Sequence, residues 1–177
     1  MRIIAGNDKG RRFYPPKHLP VRPTTDFAKE GLFNIIQNNF IIKDLKVLDL
    51  FTGTGNISYE FASRGCIDIT CVDRDHGCIK FVKQTAASLN YKGIKPIRSD
   101  VLKFIDHCIE KYDIIFAGPP YTLKEIPDIH QRIFEKKLLN AKGWLILEHA
   151  VKLTLDDLSH LIYKRNYGTT IFSIFEQ

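Results

Sequence analysis

Nowhere in the 177 residues does an apolar stretch approach the roughly 18 residues that cross a bilayer, which excludes a transmembrane helix. The opening Met1-Arg2-Ile3-Ile4-Ala5-Gly6 is too short in its apolar part to be a signal peptide, so a cytoplasmic protein is expected. Four cysteines, Cys66, Cys71, Cys78 and Cys108, show no C-x-x-C spacing, and neither a disulfide framework nor a zinc site is indicated. Cys71 lies in an apolar strand pattern, where a buried thiol is the ordinary explanation. Repeats, linkers and low-complexity segments are also missing. A single domain over residues 1–177 is expected, large enough for a three-layer core. Within it, residues 1–25 read as an N-terminal hairpin and basic arm. No oligomer interface is legible, and a monomer is expected.

The most telling absence is a glycine. An apolar strand, Val47-Leu48-Asp49-Leu50, runs into Phe51-Thr52-Gly53-Thr54-Gly55-Asn56 and then a helix. Paired glycines let a backbone bend tightly and approach a ligand, as in sites for adenosine-containing cofactors. A dinucleotide site requires G-x-G-x-x-G, with a pyrophosphate facing the helix N-terminus. Here Asn56, Ile57 and Ser58 follow Gly55, and the third glycine is missing. Asp49, just before the loop, would repel a pyrophosphate but could hold the ammonium of a methionine moiety. Twenty residues after Gly53, Asp73 ends the next apolar run, where a carboxylate can accept both ribose hydroxyls. The loop therefore favours S-adenosylmethionine over NAD. No metal is expected, because methyl transfer from a sulfonium requires no Lewis acid.

The formal charge of +6 is unevenly spread. Between Arg2 and Arg22 lie Lys9, Arg11, Arg12 and Lys17 against the single acid Asp8, interleaved with Phe13, Tyr14 and His18. Such a segment can track phosphates while its aromatics stack or pack, although charge alone equally describes a solvated arm.

Periodicity organises the rest. Residues 1–22 read as two short strands about a turn at Gly6–Gly10, then an extended piece through Pro15, Pro16 and Pro20. Thr24 or Thr25 can cap a helix over Asp26 to Asn39. Strands at Lys46–Leu50, Ile69–Asp73, Ile94–Ser99, Asp113–Ala117 and Trp144–Leu147 alternate with helices from Asn56 to Arg64, through Ile79 and Leu89, around Leu102 to Glu110 and over Asp128 to Leu138. This is the pattern of a doubly wound α/β sheet. Helix signals at Leu153 to Leu161 precede two terminal strands, the second at Thr169–Phe175, that would form an edge hairpin.

Asp113-Ile114-Ile115-Phe116-Ala117-Gly118-Pro119-Pro120-Tyr121 is the second informative stretch. Two successive prolines remove two N–H donors and leave carbonyls that can only accept. Such acceptors suit a substrate amino group, and Tyr121 can stack on a flat ring. A rigid turn with a packed tyrosine is the plainer account of the same residues.

These residues carry a resemblance. Asp/Asn-Pro-Pro-Tyr/Phe is the loop of S-adenosylmethionine-dependent methyltransferases acting on exocyclic or side-chain nitrogens. The opening Met1-Arg-Ile-Ile-Ala-Gly-x-x-Lys-Gly-Arg11, Arg22-Pro-Thr-Thr-Asp26, Glu30-Gly-Leu-Phe-Asn34 and Arg165-x-Tyr-Gly-x-Thr170 narrow it further. Over essentially its full length the chain resembles the RsmD family, bacterial small-subunit (16S) rRNA guanine-N2 methyltransferases. The resemblance implies a Rossmann-like seven-stranded sheet, parallel with a reversed C-terminal strand. It implies a cofactor site of Asp49, Phe51, Thr52, Gly53, Gly55, Asn56, Asp73, Arg74, Asp100 and Val101. In that site Asp73 takes the ribose and Asp100 with the Val101 backbone meets the adenine edge. Gly118, Pro119, Pro120 and Tyr121 would form the catalytic loop, with Thr24 and Thr25 bordering it. Arg11, Arg12 and Arg22 would contact 16S rRNA, presented as RNA, assembly intermediate or small subunit. The chain departs from the family at Gly118, where Asp or Asn is usual, and at Phe27 and Lys29, where arginines are common. Glycine offers only its carbonyl to the guanine amino group, so a weakened or inactive RNA-binding homologue is the alternative expectation. A small-molecule methyltransferase would leave the basic arm unexplained.

Overall fold

The computed structural model describes residues 1–19, 21, 24–123 and 125–177. Its strands are Lys46–Leu50 (β1), Asp68–Asp73 (β2), Ile94–Arg98 (β3), Tyr112–Ala117 (β4), Leu139–Ala150 (β5), Leu161–Tyr167 (β6) and Thr170–Glu176 (β7). They form one sheet in the order β3-β2-β1-β4-β5-β7-β6. The first five run parallel; β7 is antiparallel to both β5 and β6, as the expected reversed hairpin requires. Among the described residues five α-helices accompany the sheet, Asp26–Asn39 (α1), Asn56–Ser63 (α2), His76–Ser88 (α3), Val101–His107 (α4) and Ile126–Glu135 (α5), with a short 3-10 turn at Ile42–Asp44.

The central strands are continuous apolar runs because both of their faces are covered. Alternate side chains divide between two cores. Val47, Ile114, Phe116, Trp144 and Ile146 meet Leu32, Phe33 and Ile36 of α1, Ile57 and Phe61 of α2, and Val82 and Ala86 of α3. On the other face Leu48, Leu50, Ile115, Leu145 and Leu147 meet Val101 and Ile105 of α4 and Ile126, Ile129 and Ile133 of α5. Thr25 caps α1, its hydroxyl accepting from the Ala28 amide at 3.2 Å. Thr24 is thereby left for another partner.

Three expectations are corrected. Residues 151–160 form turns rather than a helix, and Leu155 still reaches the second core. Turns tied by Leu153 N to Ala150 O and Leu158 N to Leu155 O deliver the leucines whose spacing imitates a helix. Strand β5 is twelve residues long and begins at Leu139, because the register shifts between Tyr112–Leu139 and Ile114–Trp144. The strand passes through Lys142, whose φ is +62°, and Gly143, so a turn-like sequence lies inside a bulged strand. The N-terminal hairpin contains one bridge, Arg2 to Arg12, in place of two strands.

That hairpin is docked rather than loose. Glu60 of α2 accepts from the backbone amides of Ile4 at 2.9 Å and Ala5 at 3.0 Å. Its carboxylate also lies 3.2 Å from Lys29 Nζ, both side chains being fully buried. Burial depresses the Lys29 pKa, and Glu60 opposes that shift. Lys29 also donates to Arg2 O and, at 2.9 Å, to Asn56 Oδ1, joining hairpin, α1 and α2 in one polar knot.

Candidate active site

All five parallel strands deliver their carboxyl ends to the same edge, where open α/β sheets hold ligands. Strand β1 leads into a loop that three positive φ values bend sharply: Phe51 at 57°, Gly53 at 53° and Gly55 at 84°. A Cβ at Gly55 would lie 2.6 Å from Tyr59 Cζ, so both conformation and space demand glycine there. The loop is stitched to β2 by Thr52 N to Val72 O at 3.0 Å and by Gly53 N to Asp73 Oδ2 at 2.9 Å. Asp73 Oδ1 accepts from Asp75 N at 2.9 Å, and each carboxylate oxygen keeps a second lone pair for a ligand hydroxyl.

Asp49 lies beneath the loop, 1% exposed. Its Oδ2 accepts from Thr52 Oγ1 at 2.7 Å and Ser58 Oγ at 2.6 Å. Burial nevertheless lifts its pKa to about 6, with Asp73 adding a smaller upward push. At the ends of β1 and β2 the crevice is thus acidic, bridged by a glycine turn and without the third glycine of a pyrophosphate site. This donor set fits a nucleoside bearing a cationic tail, the chemistry of S-adenosylmethionine. Asp100 stands exposed at the next strand end, where its side chain caps α4 by accepting from Lys103 N at 3.1 Å; Val101 beside it is buried. Arg74 is exposed beyond Asp73.

The second loop follows β4, the neighbour of β1. Leu50 pairs with Ala117, and Gly118 N donates to Leu50 O at 3.3 Å, so the two loops leave adjoining strands at one level. The Tyr121 hydroxyl lies 2.9 Å from Thr170 Oγ1, which anchors the ring's far end on β7.

Some expected site residues are placed elsewhere or lie outside the described residues. The Asn56 side chain is engaged within the protein, donating to Thr24 O at 2.9 Å while accepting from Lys29. Arg11 and Arg12 are exposed on the hairpin; Arg22, like Pro20, is outside the described residues. The sequence assigns no role to Asp106, His107 or His149; Asp106 pairs with Arg132 on the surface, and His107 lies against Lys103 O at 2.8 Å. His149 is buried within 2.8 Å of Ser173 Oγ, and burial lowers its pKa. Sequence reasoning assigned no role to Glu148 and named Thr170 only as the end of the terminal motif. Strand parity signals the first, since Trp144, Ile146 and Glu148 alternate on the face that carries Ile114 and Phe116.

Sheet order, reversed terminal hairpin and paired loops together define the chain as a Rossmann-like, S-adenosylmethionine-dependent methyltransferase. Its fold matches that of the hypothetical protein TTHA0928 of Thermus thermophilus with a TM-score of 0.88, at 23% identity, over 100% of this chain and 99% of that one. The family model described as Conserved hypothetical protein 95 matches residues 1–176, and the chain belongs to that family, the RsmD family. YlbH of Bacillus subtilis (strain 168), whose name assigns it to the rRNA methyltransferases, is 32% identical over all of this chain and 99% of its own length. Ribosomal RNA small subunit methyltransferase D of Escherichia coli (strain K12) is 29% identical over 82% of this chain and 69% of its own. Among the described residues no helix is long and apolar enough to cross a membrane, and no group of three or more His, Cys, Asp or Glu could hold a metal ion.

Proposed function

We propose that this methyltransferase modifies the exocyclic N2 of a guanine in small-subunit (16S) rRNA, in the cytoplasm, as one domain with its basic hairpin docked on α2. The observation that carries the reading is the side-by-side placement of the Gly53–Gly55 turn and the Gly118–Tyr121 loop on adjoining strands. The relatives' names support the RNA substrate, and exposed Arg11 and Arg12 supply cations for its phosphates.

Bound in the first loop, S-adenosylmethionine supplies a methyl group already activated by its sulfonium. The protein contributes position. Asp73 receives ribose hydroxyls, and Asp49 offers negative charge below the methionine end. Tyr121, held by Thr170, stacks on an unpaired or extruded guanine, a contact worth about 1–3 kcal/mol. Carbonyls of Gly118 and Pro119 accept the amino N–H groups and aim the nitrogen. Fixing two reactants in this way accounts for most of the rate.

Radiolabelled methyl transfer to small-subunit particles lacking the modification tests the proposal. The expected product is N2-methylguanine, with binding that weakens steeply as salt rises. Arg11→Ala and Arg12→Ala should each lower the salt slope by about one. No incorporation above a blank containing cofactor alone, in protein that still binds the RNA, defeats the reading.

A further inference from the structure

We propose that Glu148 is a catalytic residue, the carboxylate that accepts the proton of the attacked amino group; this rests on the guanine-N2 reading above. The lone pair of an amine on an aromatic ring is delocalised, and the nitrogen becomes nucleophilic as an acceptor draws on its N–H. The Gly118-Pro119-Pro120 backbone offers carbonyls, which orient an N–H but do not retain a proton at neutral pH. A carboxylate orients the N–H as well and can take its proton transiently before passing it to water.

The sheet register places one there. Ala117, the last residue of β4, pairs with Leu147, which sets the following Gly118 beside Glu148 of β5. A Cβ built on Gly118 would lie 3.6 Å from Glu148 Oε2 and 3.1 Å from Phe116 Cε1. The Glu148 carboxylate therefore lies in van der Waals reach of the point from which an acidic side chain at 118 would start. It is 8% exposed, and Thr24 Oγ1 donates to Oε2 at 2.6 Å, fixing its orientation. Thr24 is available for this because Thr25 performs the capping of α1. In the reaction the guanine nitrogen's pair forms the N–CH3 bond. The S–CH3 pair stays on sulfur as S-adenosylhomocysteine, and the N–H proton passes to Glu148 and then to water.

Glu148→Gln keeps an oxygen for the Thr24 hydroxyl and nearly the same volume, but cannot hold the proton. Its kcat on unmethylated small-subunit particles should fall by about 10²–10³-fold. KM for the particles, calorimetric affinity for S-adenosylhomocysteine and Tm should stay as in the wild type. Gly118→Asp in the Glu148→Gln background should recover at least tenfold of the lost kcat. Thr24→Val, which removes the strut and leaves the carboxylate, should be far milder than Glu148→Gln. A Glu148→Gln kcat within twofold of wild type overturns the proposal. So does a loss of kcat accompanied by loss of S-adenosylhomocysteine affinity and Tm and matched by Thr24→Val, which would make the residue a strut. A wild-type protein that binds S-adenosylhomocysteine yet methylates no guanine instead overturns the substrate reading on which the proposal rests.

Discussion

Replacing Asp49 by asparagine separates what a buried charge costs the fold from what it does for a ligand. The residue is almost fully buried, and that burial raises its pKa from 3.8 to about 6 despite hydroxyl donors on Thr52 and Ser58. The folded chain therefore prefers the protonated acid. Stability contributed by this preference is complete below pH 3.8 and is lost as pH rises through about 6. Above that, keeping the carboxylate ionised costs about 3 kcal/mol. Asparagine retains an oxygen for both hydroxyls and never ionises. Asp49→Asn should thus raise the unfolding free energy of the ligand-free protein by up to about 3 kcal/mol at pH 7.5, and change it little at pH 4. Urea unfolding at the two pH values reads this directly, provided the transition is two-state. The same variant should bind S-adenosylmethionine about ten- to a hundredfold more weakly by calorimetry, because a charge-assisted contact of about 1.5–3 kcal/mol is lost. Equal unfolding free energies for wild type and variant at pH 7.5 would refute the reasoning, by showing that the site already compensates the charge.

Three further substitutions test the frame around the site. Gly55→Ala, at φ +84° and with its Cβ 2.6 Å from the Tyr59 ring, should lower Tm and abolish S-adenosylhomocysteine binding. Gly10→Ala, at φ +86° with nothing within 4 Å, should cost only the backbone strain of about 1–2 kcal/mol; equal melting losses would contradict the packing argument. Lys29→Met leaves the buried Glu60 carboxylate to Arg64 and two backbone amides, and should cost about 3 kcal/mol in denaturant unfolding. An unchanged denaturant midpoint would mean that the pair contributes nothing net.

Local chemistry made part of this architecture legible in advance. Strands β1, β2 and β4 are buried on both faces and bounded by turns, so apolar runs place them within a residue or two of where they occur. The glycine turn and Asp73 were equally readable, since a tight bend and a strand-end carboxylate are properties of a few adjacent residues. Other features depend on partners distant in sequence. Residues 151–160 have helical leucine spacing, but they fold as turns closed by Leu153 N to Ala150 O and Leu158 N to Leu155 O. Asn56 sits in the cofactor loop, yet Lys29 and Thr24 engage its amide, and nothing near position 56 announces them. Glu148 acquires meaning from the Ala117–Leu147 register, a relation between residues thirty apart.

The position of β7 between β5 and β6 bears on synthesis. As the polypeptide emerges from a ribosome, β5 is exposed first and β6 second, but β6 has no edge to join until β7 has arrived between them. Through that interval β5 presents Trp144, Ile146 and their open backbone groups to any passing extended chain. A released chain truncated before residue 170 should therefore call on chaperones more heavily than the chain that includes β7.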